Sequence, residues 1–186
     1  MSKFIFDFDD VLFYNSDMFK KHMYDCFLKF GMNKDVIKKY YAIEKEKGFV
    51  IFNLAQSVLE GENNDTISAV DLNEMIMSKV PDCLNIDLIE KIKILGSSNC
   101  FIVTHGVPEY QLYKVWRSGI YKYFKEVYVI QDTKKYSVEA ISKQYKDEDV
   151  YFIDDKESRF GDLDLTTYRN LKTILFVDNN SVASII

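Results

Sequence analysis

Three short apolar runs in this chain each end at polar or acidic residues, and that recurrence narrows the folds open to it. Phe4, Ile5 and Phe6 lead into Asp7, Asp9 and Asp10. Cys100, Phe101, Ile102 and Val103 lead into Thr104, His105 and Gly106, and Val150, Tyr151, Phe152 and Ile153 lead into Asp154 and Asp155. A brief unbroken run of β-formers suits a strand buried on both faces, as in a parallel sheet covered by helices. Ligands of open α/β sheets bind beyond the carboxyl ends of the strands, where these polar residues fall. Carboxylates as close as Asp7 and Asp9 repel unless one is protonated or a cation lies between them. A hard divalent ion with oxygen ligands, Mg²⁺, is the natural occupant. For this segment by itself, a solvated acidic turn after a buried strand is the plain alternative.

The other elements follow from period and punctuation. Between the first two runs the spacing predicts helices over residues 16–30, 33–47, 49–59, 66–80 and 86–95, with Gly31, Gly48, Gly61, Pro81 and Gly96 as stops. The last of these, directly before a strand, is expected to lie on the sheet as an ordinary αβ unit. Pro108 suits the first turn of a helix that runs on to Arg117. A strand over 126–130, a helix over 136–145 and a final strand over 172–177 continue the rhythm, while 156–169, with Gly161 in its middle, reads as irregular.

Composition excludes several classes. With 186 residues the chain has room for one compact domain and an insertion, and 47% hydrophobic residues exclude a disordered chain. A formal net charge of −5 and a pI near 5.1 argue against non-specific nucleic-acid binding, which needs a basic footprint. The three cysteines, Cys26, Cys83 and Cys100, are odd in number and widely spaced, so neither a disulfide framework nor a zinc site is expected. A reducing, cytoplasmic setting is the default for such a chain. No basic leader precedes an apolar segment, and no run approaches the ~18 apolar residues of a membrane helix. Neither nucleic acid nor a membrane is therefore expected as a partner.

The pattern D-x-D-x-V-L at residues 7–12 resembles motif I of the haloacid dehalogenase (HAD) superfamily of aspartate-nucleophile phosphatases. By that resemblance Asp7 attacks phosphorus and Asp9 handles the leaving-group proton. Asp10 departs from the pattern, because glycine often stands there. Thr104, after its apolar run, resembles the hydroxyl of motif II, with His105 beside it as a possible substrate contact. Motif III is a lysine opening a helix. Lys134 and Lys135 compete for it, and Val138 and Ile141, four and seven residues beyond Lys134, favour Lys134. Asp154 and Asp155 resemble the acidic pair of motif IV, one a direct Mg²⁺ ligand and the other behind it.

The resemblance spans the whole chain. It implies an α/β, Rossmann-like parallel-sheet core from residues 1–13 and 96–186, and an α-helical cap inserted at 14–95. It implies a Mg²⁺-dependent phosphohydrolase that acts on a small phosphorylated molecule through an aspartyl-phosphate intermediate, with Asp7, Asp9, Asp154 and Asp155 around the metal and Thr104, His105, Lys134 and Lys135 around the phosphate. A phosphomutase or phosphotransferase, in which a hydroxyl replaces water, is the alternative within the fold. A catalytically inactive binding protein is the alternative outside enzymes. A receiver-type signalling module fits poorly, because it needs a lone Asp ending a middle strand before the Thr. Dehalogenation fits poorly because Asp9 is present.

Overall fold

The computed structural model describes residues 2–186. Strands β1 (Lys3–Phe6), β2 (Cys100–His105), β3 (Glu126–Ile130), β4 (Val150–Asp154) and β5 (Leu171–Leu175) form one sheet in the order β3-β2-β1-β4-β5. All four pairings are parallel. Phe4, Ile5 and Phe6 in the central strand are buried whichever face they point to, which is why β1 reads as an unbroken apolar run rather than an alternating one. The described residues also form seven α-helices in chain order: α1 (Ser16–Lys29), α2 (Lys34–Lys47), α3 (Ile51–Glu62), α4 (Ala69–Met77), α5 (Ile86–Leu95), α6 (Pro108–Arg117) and α7 (Lys135–Gln144).

The chain divides into two compact units, one ending at Tyr14 and resuming at Leu84, the other Asn15–Cys83. The first holds the sheet. On one face Ile5, Phe101, Val103, Phe152 and Leu171 form a core with Val138 and Ile141 of α7. Helix α5 belongs to this unit. The insert is therefore smaller than the expected 14–95, because Asn85 ties the start of α5 to the sheet side: its amide donates to the Leu12 carbonyl at 2.9 Å, and its side chain accepts from the Leu88 amide at 3.3 Å. Residues 156–169 carry only the short 3₁₀ turn Glu157–Arg159.

The second unit is built from α1 to α4. Phe19, Met23, Cys26 and Phe27 give α1 its buried stripe, and Ile51, Leu54, Ala55, Val58 and Leu59 give α3 its own. Asn33 and Ser68 cap α2 and α4, each side chain accepting a backbone N–H. Gly61 does not stop α3 as expected. The helix runs through it to Glu62, and Asn63 at φ 50° ends it. Gly61 is bare for a different reason: a Cβ there would lie 2.5 Å from the Tyr40 ring. No helix among the described residues is long and apolar enough to cross a membrane.

Candidate active site

The site begins where β1 ends. Phe6 is level with Ile102 of β2 and Ile153 of β4, and the Asp7 amide donates to the Ile153 carbonyl at 2.9 Å. Backbone pairing thus fixes Asp7 as far as its Cα, and its Oδ1 then accepts from the Phe8 amide at 2.7 Å. Beyond it the chain folds back tightly. The Leu12 and Phe13 amides donate to the Phe8 carbonyl at 3.0 and 2.8 Å, and the Asp10 amide donates to the Phe13 carbonyl at 2.9 Å. The turn holds Asp10 at φ 61°, the left-handed region that glycine occupies freely and Asp tolerates better than most residues. The backbone here accounts for a glycine preference at this position, and the short Asp side chain is accommodated in its place.

Lys134 precedes α7, and its carbonyl accepts the Val138 amide at 3.0 Å. Its side chain is 2% exposed, and its Nζ lies 2.7 Å from Asp7 Oδ2 and 2.6 Å from Asp154 Oδ2. Asp154 is fully buried, and its other oxygen accepts from the Lys156 amide at 2.9 Å. Asp155 pairs with the Lys156 ammonium at 3.2 Å. One oxygen each from Asp7, Asp154 and Asp155 lies within 4.8 Å of the others.

The electrostatics of this group suit a cation. Burial raises the Asp7 carboxyl to about 6; the charges of Asp154 and Asp9 add to the rise and Lys134 opposes it. Burial also pushes Asp155 up, helped by Asp154 and Asp10 and opposed by Lys156. Three converging carboxylates face two ammoniums, Lys134 shared by Asp7 and Asp154 and Lys156 at Asp155, so they are short of positive charge, and an all-oxygen anionic donor set is what a hard divalent ion prefers. The residues present therefore fit Mg²⁺.

Asp9 stands outside that acidic group, although the sequence reading placed it at the metal. Its Oδ1 is in an ion pair with Lys114 Nζ, and its Oδ2 accepts from Gln111 Nε2 at 2.8 Å. Burial alone would raise its carboxyl, yet Lys114 and then Gln111 outweigh it and hold the group below the ordinary carboxylate range. The same Gln111 nitrogen is 3.1 Å from the hydroxyl of Thr104, which is buried at the end of β2. Gln111 and Lys114 are three residues apart on α6 and therefore share its inner face with Val115. Sequence reasoning missed both. The available signal was position: a helix that directly follows the Thr104 loop must turn one face to the sheet edge, and here that face carries an amide and an ammonium.

Two expected phosphate contacts turn elsewhere. His105 is exposed and its Nε2 meets the Gln131 carbonyl at 2.8 Å, because alternation along β2 sends it away from its buried neighbour Thr104. Lys135 donates to the Asp162 carbonyl at 2.6 Å and lies 3.7 Å from Glu139. One residue further along a helix is about 100° around it, so only Lys134 of the two reaches Asp7.

Solved structures with the same architecture are found. A haloacid dehalogenase-like hydrolase from Burkholderia xenovorans superposes with a TM-score of 0.68 over 99% of this chain and 89% of its own, at 14% identity. A HAD family enzyme from Bacteroides thetaiotaomicron, solved with magnesium and inorganic phosphate, gives 0.51 over 93% and 92% at 14% identity. A protein assigned as a β-phosphoglucomutase from Thermotoga maritima gives 0.50 over 99% and 91% at 13% identity. The chain has the α/β, Rossmann-like fold of haloacid dehalogenase-like hydrolases, with its acidic group at the carboxyl end of the central strand. At these identities the likeness is one of fold. No protein-family model matches the sequence, and no curated protein matches it.

Proposed function

We propose that this chain is a Mg²⁺-dependent phosphohydrolase of the HAD superfamily, acting on a small phosphorylated metabolite through an aspartyl-phosphate. The observation that carries this reading is the meeting of Asp7, Lys134 and Asp154 in one buried group, with Asp155 beside them. A carboxylate attacking a phosphate ester faces like-charge repulsion. A buried ammonium in contact with that carboxylate offsets it, and more strongly than in water because the site is desolvated.

In the first step an Asp7 oxygen bonds to phosphorus and the bond from phosphorus to the ester oxygen breaks; Asp9, which Lys114 and Gln111 keep ionised near neutral pH, relays a proton from solvent to the leaving oxygen. In the second step water bonds to phosphorus and gives a proton to Asp9. The bond from phosphorus to Asp7 breaks, which restores the carboxylate and releases inorganic phosphate. Lys134 and the Thr104 hydroxyl hold the phosphoryl oxygens. Asp7, Asp154 and Asp155 are the residues that would hold Mg²⁺, which when bound supplies further neutralisation of phosphoryl charge.

The test is hydrolysis of p-nitrophenyl phosphate and a panel of phosphorylated metabolites by the purified protein. Turnover should require Mg²⁺, disappear in EDTA and return on adding Mg²⁺ back. Turnover that survives EDTA would remove the metal from the scheme, and no turnover on any ester would remove the enzyme.

A further inference from the structure

We infer that Lys114 and Gln111 form a clamp that positions Asp9 for the second half of turnover, the hydrolysis of the aspartyl-phosphate. The inference rests on the phosphohydrolase reading and assigns two positioning residues within it.

Gln111 is 3% exposed and Lys114 6%. Side chains of these types are rarely that buried unless they are paired, and both are paired with Asp9: Lys114 with Oδ1 and Gln111 with Oδ2 at 2.8 Å. Holding both oxygens from one helix fixes the two side-chain torsions of Asp9, which its position in a turn would otherwise leave free. The Lys114 ammonium is itself confined, 3.9 Å from the centre of the Phe13 ring and 5.4 Å from that of Phe8. Those two rings stack at 5.8 Å and are buried, so the cation has a rigid apolar seat.

Gln111 extends the clamp to β2. Its Nε2 carries two hydrogens and faces three oxygens, those of Asp9, Thr104 at 3.1 Å and the His105 carbonyl at 3.2 Å. Asp9 is thereby tied to the strand end that presents the Thr104 hydroxyl. The clamp leaves the chemistry open, because each carboxylate oxygen has two lone pairs and the clamp takes one from each. In the hydrolysis step the water oxygen bonds to phosphorus, its proton goes to a remaining lone pair of Asp9, and the electron pair of the broken bond returns to Asp7. A base must lie within about 3 Å of the proton it takes, and a freely rotating carboxylate would meet that condition only part of the time. With an activated ester the first step needs little proton transfer, so loss of the clamp should fall on the second.

A purely structural ion pair would affect stability and nothing else, and the kinetics separate the two roles. With p-nitrophenyl phosphate, kcat/KM reports the steps through departure of nitrophenol, whereas kcat includes hydrolysis of the phosphoenzyme. Lys114→Met should lower kcat by about 10–100-fold, part of the ~10²–10⁴ typical of a general base, with kcat/KM within about threefold of the parent. Phosphoenzyme should accumulate, read by mass spectrometry on the peptide containing Asp7. Lys114→Arg should restore most of kcat. Gln111→Met, which removes no charge, should give the same split more weakly, and it decides the matter if Lys114→Met does not fold. Equal falls in kcat and kcat/KM, or no change in either, would overturn the clamp while leaving the phosphohydrolase intact. A parent protein that turns over no ester, or that is phosphorylated away from Asp7, overturns the reading beneath it and the clamp together.

Discussion

Lys134 Nζ lies 2.7 Å from the Asp7 carboxylate, and both side chains are buried. The contact joins the residue after the central strand to the residue before α7, so the proposed nucleophile and its neutralising charge come from opposite halves of the chain. Replacing Lys134 by Met leaves Asp7 and Asp154 buried without their shared cation. Removing one partner of a buried pair destabilises by about 3–5 kcal/mol. Urea unfolding of Lys134→Met at neutral pH should show a loss of that size, with hydrolysis at background. An unchanged midpoint would mean that the carboxylates do not depend on this lysine.

The raised Asp7 carboxyl has a signed consequence for stability. Its folded value of about 6 exceeds the ordinary 3.8, so the folded state binds this proton more tightly than the unfolded chain. Stability from this group is present below the unfolded value and declines as pH rises from about 4 to about 6. In EDTA, the melting temperature of the parent should therefore fall relative to that of Asp7→Asn across that window and run parallel to it above. Parallel curves throughout would show that Asp7 is not raised.

Asp10 at φ 61° suggests a stabilising substitution. Asp10→Gly relieves the left-handed backbone and carries the usual glycine entropy penalty, for a net gain of roughly 0.5–1 kcal/mol in thermal or chemical unfolding. It also removes one of the negative charges that push Asp155 up, so carboxyl NMR should show Asp155 titrating at lower pH. A destabilised variant would indicate that the Asp10 side chain, rather than backbone shape, holds the turn.

Gly61 predicts the opposite sign. Alanine is ordinarily the better helix former by about 1 kcal/mol, but a Cβ at this position meets the Tyr40 ring at 2.5 Å. Gly61→Ala should therefore destabilise the helical unit, and pairing it with Tyr40→Ala should remove the clash and expose the helix-propensity gain. A stabilising single substitution would show that Tyr40 moves aside without penalty.

What the sequence disclosed and what it hid divide along physical lines. The strand ends at Asp7, Thr104 and Asp154 were legible because buried parallel strands need unbroken apolar runs and the polar residue closing each run marks the sheet edge. Lys134 was separable from Lys135 because Val138 and Ile141 set the helix phase. Gln111 and Lys114 were hidden because a buried amide or ammonium is spelled like a solvated one, and only the partner Asp9, 102 and 105 positions away, distinguishes them. Gly61 was misread for the same kind of reason: glycine marks a helix end locally, whereas here it answers to a tyrosine on another helix. Asp9 was assigned to the metal because it lies two residues from Asp7, whereas its two carboxylate oxygens are engaged by Lys114 and Gln111.

The sheet order has a consequence for how the protein comes to exist. β1 is central, yet its two neighbours start only at Cys100 and Val150. During synthesis the first strand leaves the ribosome with no partner, and the helical unit is made before either one appears. Such non-local pairing forms slowly and leaves apolar strand edges exposed meanwhile. Asp7 acquires its lysine only once residue 134 is available and its acidic neighbours only after residue 155. Nascent chains shorter than that carry a folded helical unit at most, and a truncation before β4 should depend on chaperones for solubility rather than yield a weaker enzyme.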